Sequence, residues 1–311
     1  MRCLSCKQLI CINRTHCQAS VQALTFTKIF FSLLVRLGFC MWVSYCCRFI
    51  KELRLHWIRG LDNITIESSS LEYFLIEAMW VHNIDRLVIA GDRVEEIYIH
   101  IPNHKNKSWL NISAPNLKYL KFIRKMWDHQ HLGEMNCLEQ VEISLTSYGL
   151  ESHDLDSVCE QFLCSISRVK VLILDQVTAK TLFREGLTSA QLGNLWYLLM
   201  SIQCSVDDNL VPAMTSLFRA VPNLTTLNVS SSPHFPIPHV CDRDDNISGF
   251  DRGYWELQGL DFFSKLEEVT IGLTTGSNGF ELARYILEHA PNLKKLSVIT
   301  RPDQSSSVPD I

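Results

Sequence analysis

Four groupings of potentially reactive side chains occur along the chain. Cys3, Cys6, Cys11 and His16 follow one another at gaps of two, four and four residues. Thiolates and an imidazole are ligands that zinc prefers, and loops this short can close on one tetrahedral ion. The ligand order is unusual for a knuckle, however, and the glycines and aromatics that shape one are missing. A chance spacing in a cysteine-dense stretch is therefore the expectation. Asp242, Asp244, Asp245, Asn246 and Ser248 imitate a calcium loop. Such a loop needs glycine at its sixth position and glutamate at its twelfth. Ile247 and Gly253 stand there instead, which leaves a polar surface loop. His129 and His131, beside Asp128, could make a metal corner, but no cysteine or carboxylate spacing supports one, and a polar loop is expected. Glu95 and Glu96 are neighbours, and on a strand neighbours face opposite sides, so they cannot work as an acid–base pair.

Other chemistry is missing from the sequence. It contains no Gly-x-Ser-x-Gly elbow, no phosphate-cradling glycine loop and no His-Glu-x-x-His pair. The expectation is a protein that is not an enzyme and uses no cofactor or metal. The net charge of −4 leaves no basic footprint for a nucleic-acid partner. The asparagine sequons at Asn13, Asn63, Asn106, Asn111, Asn223, Asn228 and Asn246 matter only in a secretory compartment. Five cysteines after residue 48 show no paired spacing and sit mostly among apolar neighbours. That pattern suits buried free thiols in a reducing, cytoplasmic or nuclear setting.

Residues 1–47 differ from everything that follows. They hold seven of the 12 cysteines and no acidic residue. From Ile29 to Cys47 the run is almost wholly apolar and nearly long enough to span a bilayer. Arg36 falls near its middle, where a cation costs about 2.5–3.5 kcal/mol. The segment reads as a membrane anchor or as a gene-model artefact, and its deletion is expected to leave the fold intact. The strand near Leu53 would then present an open edge.

What organises the rest is a recurring apolar-x-x-apolar-x-apolar pattern. Its copies begin at Ile50, Leu71, Ile84, Val94, Leu117, Leu138, Val169, Leu195, Leu224, Leu266 and Leu293. The last two apolar positions of each copy are two apart, so on a strand they share a face. Strands of this kind stacked side by side make a parallel sheet with one continuous apolar column. Ala114-Pro115-Asn116-Leu117, Val221-Pro222-Asn223-Leu224 and Ala290-Pro291-Asn292-Leu293 add a turn before the strand. Val211 to Ala220 and Phe280 to Ala290 show helical apolar spacing. Late repeats thus read helix, turn, strand. Early repeats have little room for a helix, and their convex side is expected to be loop.

The stretch Asn111 to Phe122 resembles the leucine-rich repeats of plant F-box proteins. Tyr254 to Val298, with Phe262, Phe263, Glu281 to Ala290 and the Pro-Asn-Leu turn, resembles the FBD-type region that follows them. The resemblance implies an α/β leucine-rich-repeat solenoid, with a parallel sheet on the concave side and helices and loops on the convex side. It divides the chain into the repeats (48–230), a polar loop (231–253), FBD-like repeats (254–300) and a disordered tail (301–311). It also implies a non-enzymatic scaffold that resembles the substrate-recognition half of an F-box ubiquitin-ligase subunit and binds a protein substrate. No F-box pattern is seen, which argues against capture of a Skp-type adaptor. The alternative is a membrane-anchored or extracellular receptor-like repeat protein held by residues 29–47.

In either case the residue between the last two apolar positions faces away from the core. That ladder runs Arg54, Leu75, Val88, Tyr98, Lys121, Glu142, Ile173, Leu199, Asn228, Thr270 and Ser297, flanked by Tyr119, Tyr197 and Lys295. Arg54, Tyr98, Tyr119, Lys121, Glu142, Tyr197, Asn228, Thr270 and Lys295 are the expected partner-binding residues. An aromatic and mixed polar surface of this kind suits a protein partner.

Overall fold

A computed structural model describes residues 8–12, 50–58, 62–78, 84–101, 108–124, 127–145, 155–184, 190–202, 210–230, 252–273 and 278–300. The chain divides into two compact units, residues 1–138 with 146–165 and residues 139–145 with 166–311.

In the first unit the chain alternates between two parallel sheets. Strands β1 (Gln8–Ile12), β2 (Glu52–Ile58), β4 (Tyr73–Ala78), β6 (Glu96–Ile101) and β8 (Tyr119–Arg124) form one. Strands β3 (Asn63–Glu67), β5 (Arg86–Ala90), β7 (Trp109–Ser113) and β9 (His129–Leu132) form the other. In the first sheet Leu53, Phe74, Ile97 and Leu120 lie in one row, and Leu55, Ile76, Ile99 and Phe122 in the next. All eight are buried. In the second, Ile64, Leu87 and Leu110 lie in register, as do Ile66, Ile89 and Ile112, and these too are buried. Each fully buried aliphatic or aromatic side chain contributes about 1.5–3 kcal/mol, so these rows hold the unit together.

This arrangement corrects three expectations. Ile84, Leu87 and Ile89 are not a copy of the main strand, because Leu87 and Ile89 belong to β5 in the second sheet. Val88 therefore leaves the ladder. The far side of the early repeats, expected to be loop, carries a sheet. The reason is length. Ile64, Leu87 and Leu110 recur every 23 residues, in step with the main series Phe74, Ile97 and Leu120. A strand advances about 3.3 Å per residue, so a repeat of this size accommodates two short strands and two turns. The second strand then satisfies its backbone groups in a ladder, as buried backbone requires.

The segment set apart by composition also takes part. β1 pairs in parallel with β2, Leu9 opposite Leu53 and Cys11 opposite Leu55. Residues 8–12 thus lie along the edge of β2 that the expected deletion of residues 1–47 would leave open. Cys3, Cys6 and His16, and the apolar run 29–47, lie outside the described residues. Among the described residues, no helix is long and apolar enough to cross a membrane. A helix of this unit, α1 (Leu155–Ser165), packs beside β9. Gln130 Nε2 donates to the Val158 carbonyl across 2.9 Å, and Phe162 lies 6.3 Å from Phe122.

The second unit has one parallel sheet, in the order β10 (Gln140–Leu145), β11 (Val171–Asp175), β12 (Tyr197–Ser201), β13 (Thr226–Ser230), β14 (Glu268–Leu273) and β15 (Lys295–Thr300). Helices α2 (Gln176–Leu182), α3 (Val211–Ala220), α4 (Arg252–Glu256) and α5 (Asn278–His289) lie between its strands, with a 3-10 turn at Asp261–Ser264. Val141, Leu172, Leu198, Leu227, Val269 and Leu296 are in register, followed by Ile143, Leu174, Met200, Val229, Ile271 and Val298. The column is buried up to β14. On β15 Val298 is 40% exposed.

Helices form here because the longer repeats place Ala213, Met214, Leu217 and Phe218, then Leu282, Tyr285 and Ile286, on buried stripes. Both expected helices are present, as α3 and α5. Phe218 and Phe262, with ring centroids 4.9 Å apart, join helix to 3-10 turn. The Pro-Asn turns do more than reverse the chain. Leu117 N donates to Ala114 O, Leu224 N to Val221 O and Leu293 N to Ala290 O, which closes each turn. Asn116 Nδ2 then donates to Asp92 O, Asn223 Nδ2 to Gly193 O and Asn292 Nδ2 to Ser264 O, each across 2.6 Å. The asparagine thus ties each turn to the preceding repeat.

Candidate partner-binding faces

In the first unit, residues alternate in and out along β2, β4, β6 and β8. The side chains that face away from the core therefore form two rows. One is Glu52, Tyr73, Glu96 and Tyr119, and the other is Arg54, Leu75, Tyr98 and Lys121. The tyrosines zigzag between rows. Ring centroids of Tyr73 and Tyr98 are 5.1 Å apart, and those of Tyr98 and Tyr119 are 5.0 Å apart, with tilts of 36° and 41°. Offset pairs of this kind are worth about 0.5–1.5 kcal/mol each beyond their burial. The Arg54 guanidinium carbon lies 4.4 Å from the Tyr73 ring centroid. Such a cation over an aromatic face is held electrostatically.

Charges frame these rings. Arg54 also pairs with Glu52, whose hydrogen bond holds the guanidinium pKa above its ordinary value. Burial raises the Tyr73 hydroxyl pKa, and the Arg54 charge opposes that rise. The Tyr98 hydroxyl donates to Glu96 Oε2 across 3.3 Å. His56 Nδ1 lies 2.7 Å from Glu77 Oε2. The rings are half-buried against one another, so their edges are presented with little rotamer freedom left to lose. Rigid amphipathic aromatics of this kind are efficient contacts for a protein partner.

Of the expected residues, Arg54, Tyr98, Tyr119 and Lys121 come together here. Tyr73, Glu52 and Glu96 belong with them, yet the ladder as read from one position per repeat misses them. Taking both outward positions of each strand finds them, since Glu52, Tyr73, Glu96 and Tyr119 each precede the first inward residue. In the second unit Glu142, Ile173, Leu199, Asn228, Thr270 and Ser297 lie in one row. Tyr197, Thr226, Glu268 and Lys295 form the row beside it. This face is drier than expected, with Glu142 only 6% and Leu199 only 7% exposed. Leu75 in the first unit is similarly covered, at 9%. Asn228 Oδ1 is buried and accepts no hydrogen bond among the described residues. His129 and His131, expected in a loop, lie on β9.

With this geometry in hand, comparison adds one relationship. A putative F-box/FBD/LRR-repeat protein of Arabidopsis thaliana is 27% identical over 207 residues, which cover 65% of this chain and 39% of that protein. The chain thus spans about two fifths of that relative's length. No family model matches the chain, and no solved structure does. The parallel sheets and the relative together give the fold: an α/β solenoid of leucine-rich-repeat type.

Proposed function

We propose that this protein is a non-enzymatic interaction scaffold whose first unit binds a protein partner through its outward tyrosine face. One observation supports this above all: Arg54, Tyr73, Tyr98 and Tyr119 stack in sequence across four adjacent strands. Rings packed on a rigid sheet offer contact area at little entropic cost, and arginine and tyrosine are the residues that dominate interface energetics. The finer reading is a substrate-recognition half of a ubiquitin-ligase subunit, in line with the F-box and LRR words in the relative's description. On this reading the repeats take a substrate-type partner and are not expected to capture a Skp-type adaptor. Repeats without basic excess leave nucleic acid an unsuitable partner.

The test is affinity capture of the full chain from plant extract, quantified against Tyr98→Ala and the Tyr98→Ala/Tyr119→Ala double variant. The expected result is a specific set of proteins lost from both variants, with a purified Skp-type adaptor absent from every sample. Equal recovery of all captured proteins by wild type and double variant refutes the tyrosine face. Stoichiometric adaptor binding refutes the assignment of recognition alone.

A further inference from the structure

The outward face of the first unit's second sheet carries a separate groove of about 550 Å³. Register sets Arg86, Trp109 and His129 in one row across β5, β7 and β9, and Val88, Asn111 and His131 in the next. Trp109 is 55% exposed and offers an indole face at the groove. Its ring centroid lies 4.2 Å from that of His129, which fixes the indole as a platform. On the outward rows Asn111 Oδ1 borders the groove without a hydrogen bond among the described residues. An unmet buried acceptor costs about 1–3 kcal/mol.

We infer that this groove is a saccharide-binding site, taking one or two neutral pyranose rings against Trp109. The chemistry of the lining decides between ligands. Asn111 calls for a donor, whereas Arg86 and the ring nitrogens of His129 and His131 offer donors. A guanidinium supplies donors alone and faces Arg86, which repels it. A phosphate or carboxylate supplies acceptors alone and faces Asp128 and the unmet Asn111 oxygen. Sugar hydroxyls are donors and acceptors at once, and the C–H face of a pyranose is apolar and flat enough to lie on an indole. Terminal amide torsions are broad, so a small rotation brings the shielded Asn111 oxygen to a hydroxyl. The groove's volume lies within the range of small-molecule sites.

The experiment is titration of the isotope-labelled full chain with methyl glycosides of glucose, galactose, mannose and N-acetylglucosamine and with cellobiose, following tryptophan indole resonances. At least one sugar is expected to bind in the millimolar range or tighter. Trp109→Ala should weaken it about ten-fold or more, a change of about 1.4 kcal/mol. Trp109→Phe should retain part of the affinity, and thermal melts should confirm that both variants fold. Failure of the whole panel to bind overturns the site. So does sugar binding that Trp109→Ala leaves unchanged, or tighter binding of arginine amide or adenosine than of any sugar. The tyrosine face lies on the other sheet, so partner capture can fail or succeed independently.

Discussion

Replacing Asp175 tests how the second unit joins helix to sheet. Asp175 ends β11 and caps α2, and it is 5% exposed. One carboxylate oxygen accepts from Thr178 N at 2.7 Å, and the other accepts from Ser144 Oγ on β10 at 2.5 Å. Thr178 Oγ1 in turn accepts from Leu145 N at 2.8 Å, so one turn of helix is tied to the neighbouring strand at two points. Asp175→Ala removes the cap, worth about 1 kcal/mol. It also leaves Thr178 N and Ser144 Oγ buried without an acceptor, at about 1–3 kcal/mol each. These terms overlap, because the Thr178 bond is the cap itself, and the sum comes to about 3 kcal/mol. Asp175→Asn keeps an acceptor for Thr178 N and turns its NH₂ toward Ser144, whose hydroxyl can accept, at a cost of about 1 kcal/mol. Equilibrium urea unfolding followed by far-UV circular dichroism should rank the three proteins wild type, Asn, Ala. An alanine variant within about 1 kcal/mol of wild type, or an asparagine variant as unstable as alanine, refutes the network.

Further expectations follow from packing. A Cβ at Gly91 would lie 2.5 Å from the Ser68 carbonyl oxygen and 2.9 Å from Val94 Cγ2, whereas one at Gly193 meets nothing within 4 Å. Gly91→Ala should therefore lower stability by about 1–3 kcal/mol, and Gly193→Ala should leave the urea midpoint close to wild type. Asn223→Ala severs the 2.6 Å bond to Gly193 O and a contact with Lys265, and should cost about 1 kcal/mol in the same assay. Removing residues 1–12 strips β1 from β2, so β2 amides should exchange faster with deuterium and the protein should self-associate, as exposed strand edges do. Unchanged exchange would show that the edge needs no cover.

Much of the main sheet was legible because its signal is period two inside a longer period. Leu120 with Phe122 and Leu172 with Leu174 behave as the spacing requires. The second sheet was not, for a specific reason. Its strands share the alternation but can lack the leading apolar residue, as at Leu110 and Ile112, which follow Lys107, or carry a polar residue inward, as at Gln130. Leu87 and Ile89 satisfied the main pattern by coincidence with Ile84, and spacing along a chain does not say which sheet receives a strand. α2 went unread because seven residues after a strand give too little periodicity, although Asp175 and Thr178 form its cap. The tyrosine face was half legible. Tyr98 and Lys121 follow from alternation, whereas the Arg54–Tyr73 stack depends on how neighbouring strands align.

Cross-strand backbone NOEs in the labelled full chain test the architecture most directly. The account places Ile97 beside Leu120 in one parallel sheet and Leu87 beside Leu110 in another, with no backbone strand pairing of Leu87 to Ile97 or Leu120. Antiparallel patterns at these pairs, helical connectivities through them, or Leu87 in register with Ile97 would contradict it.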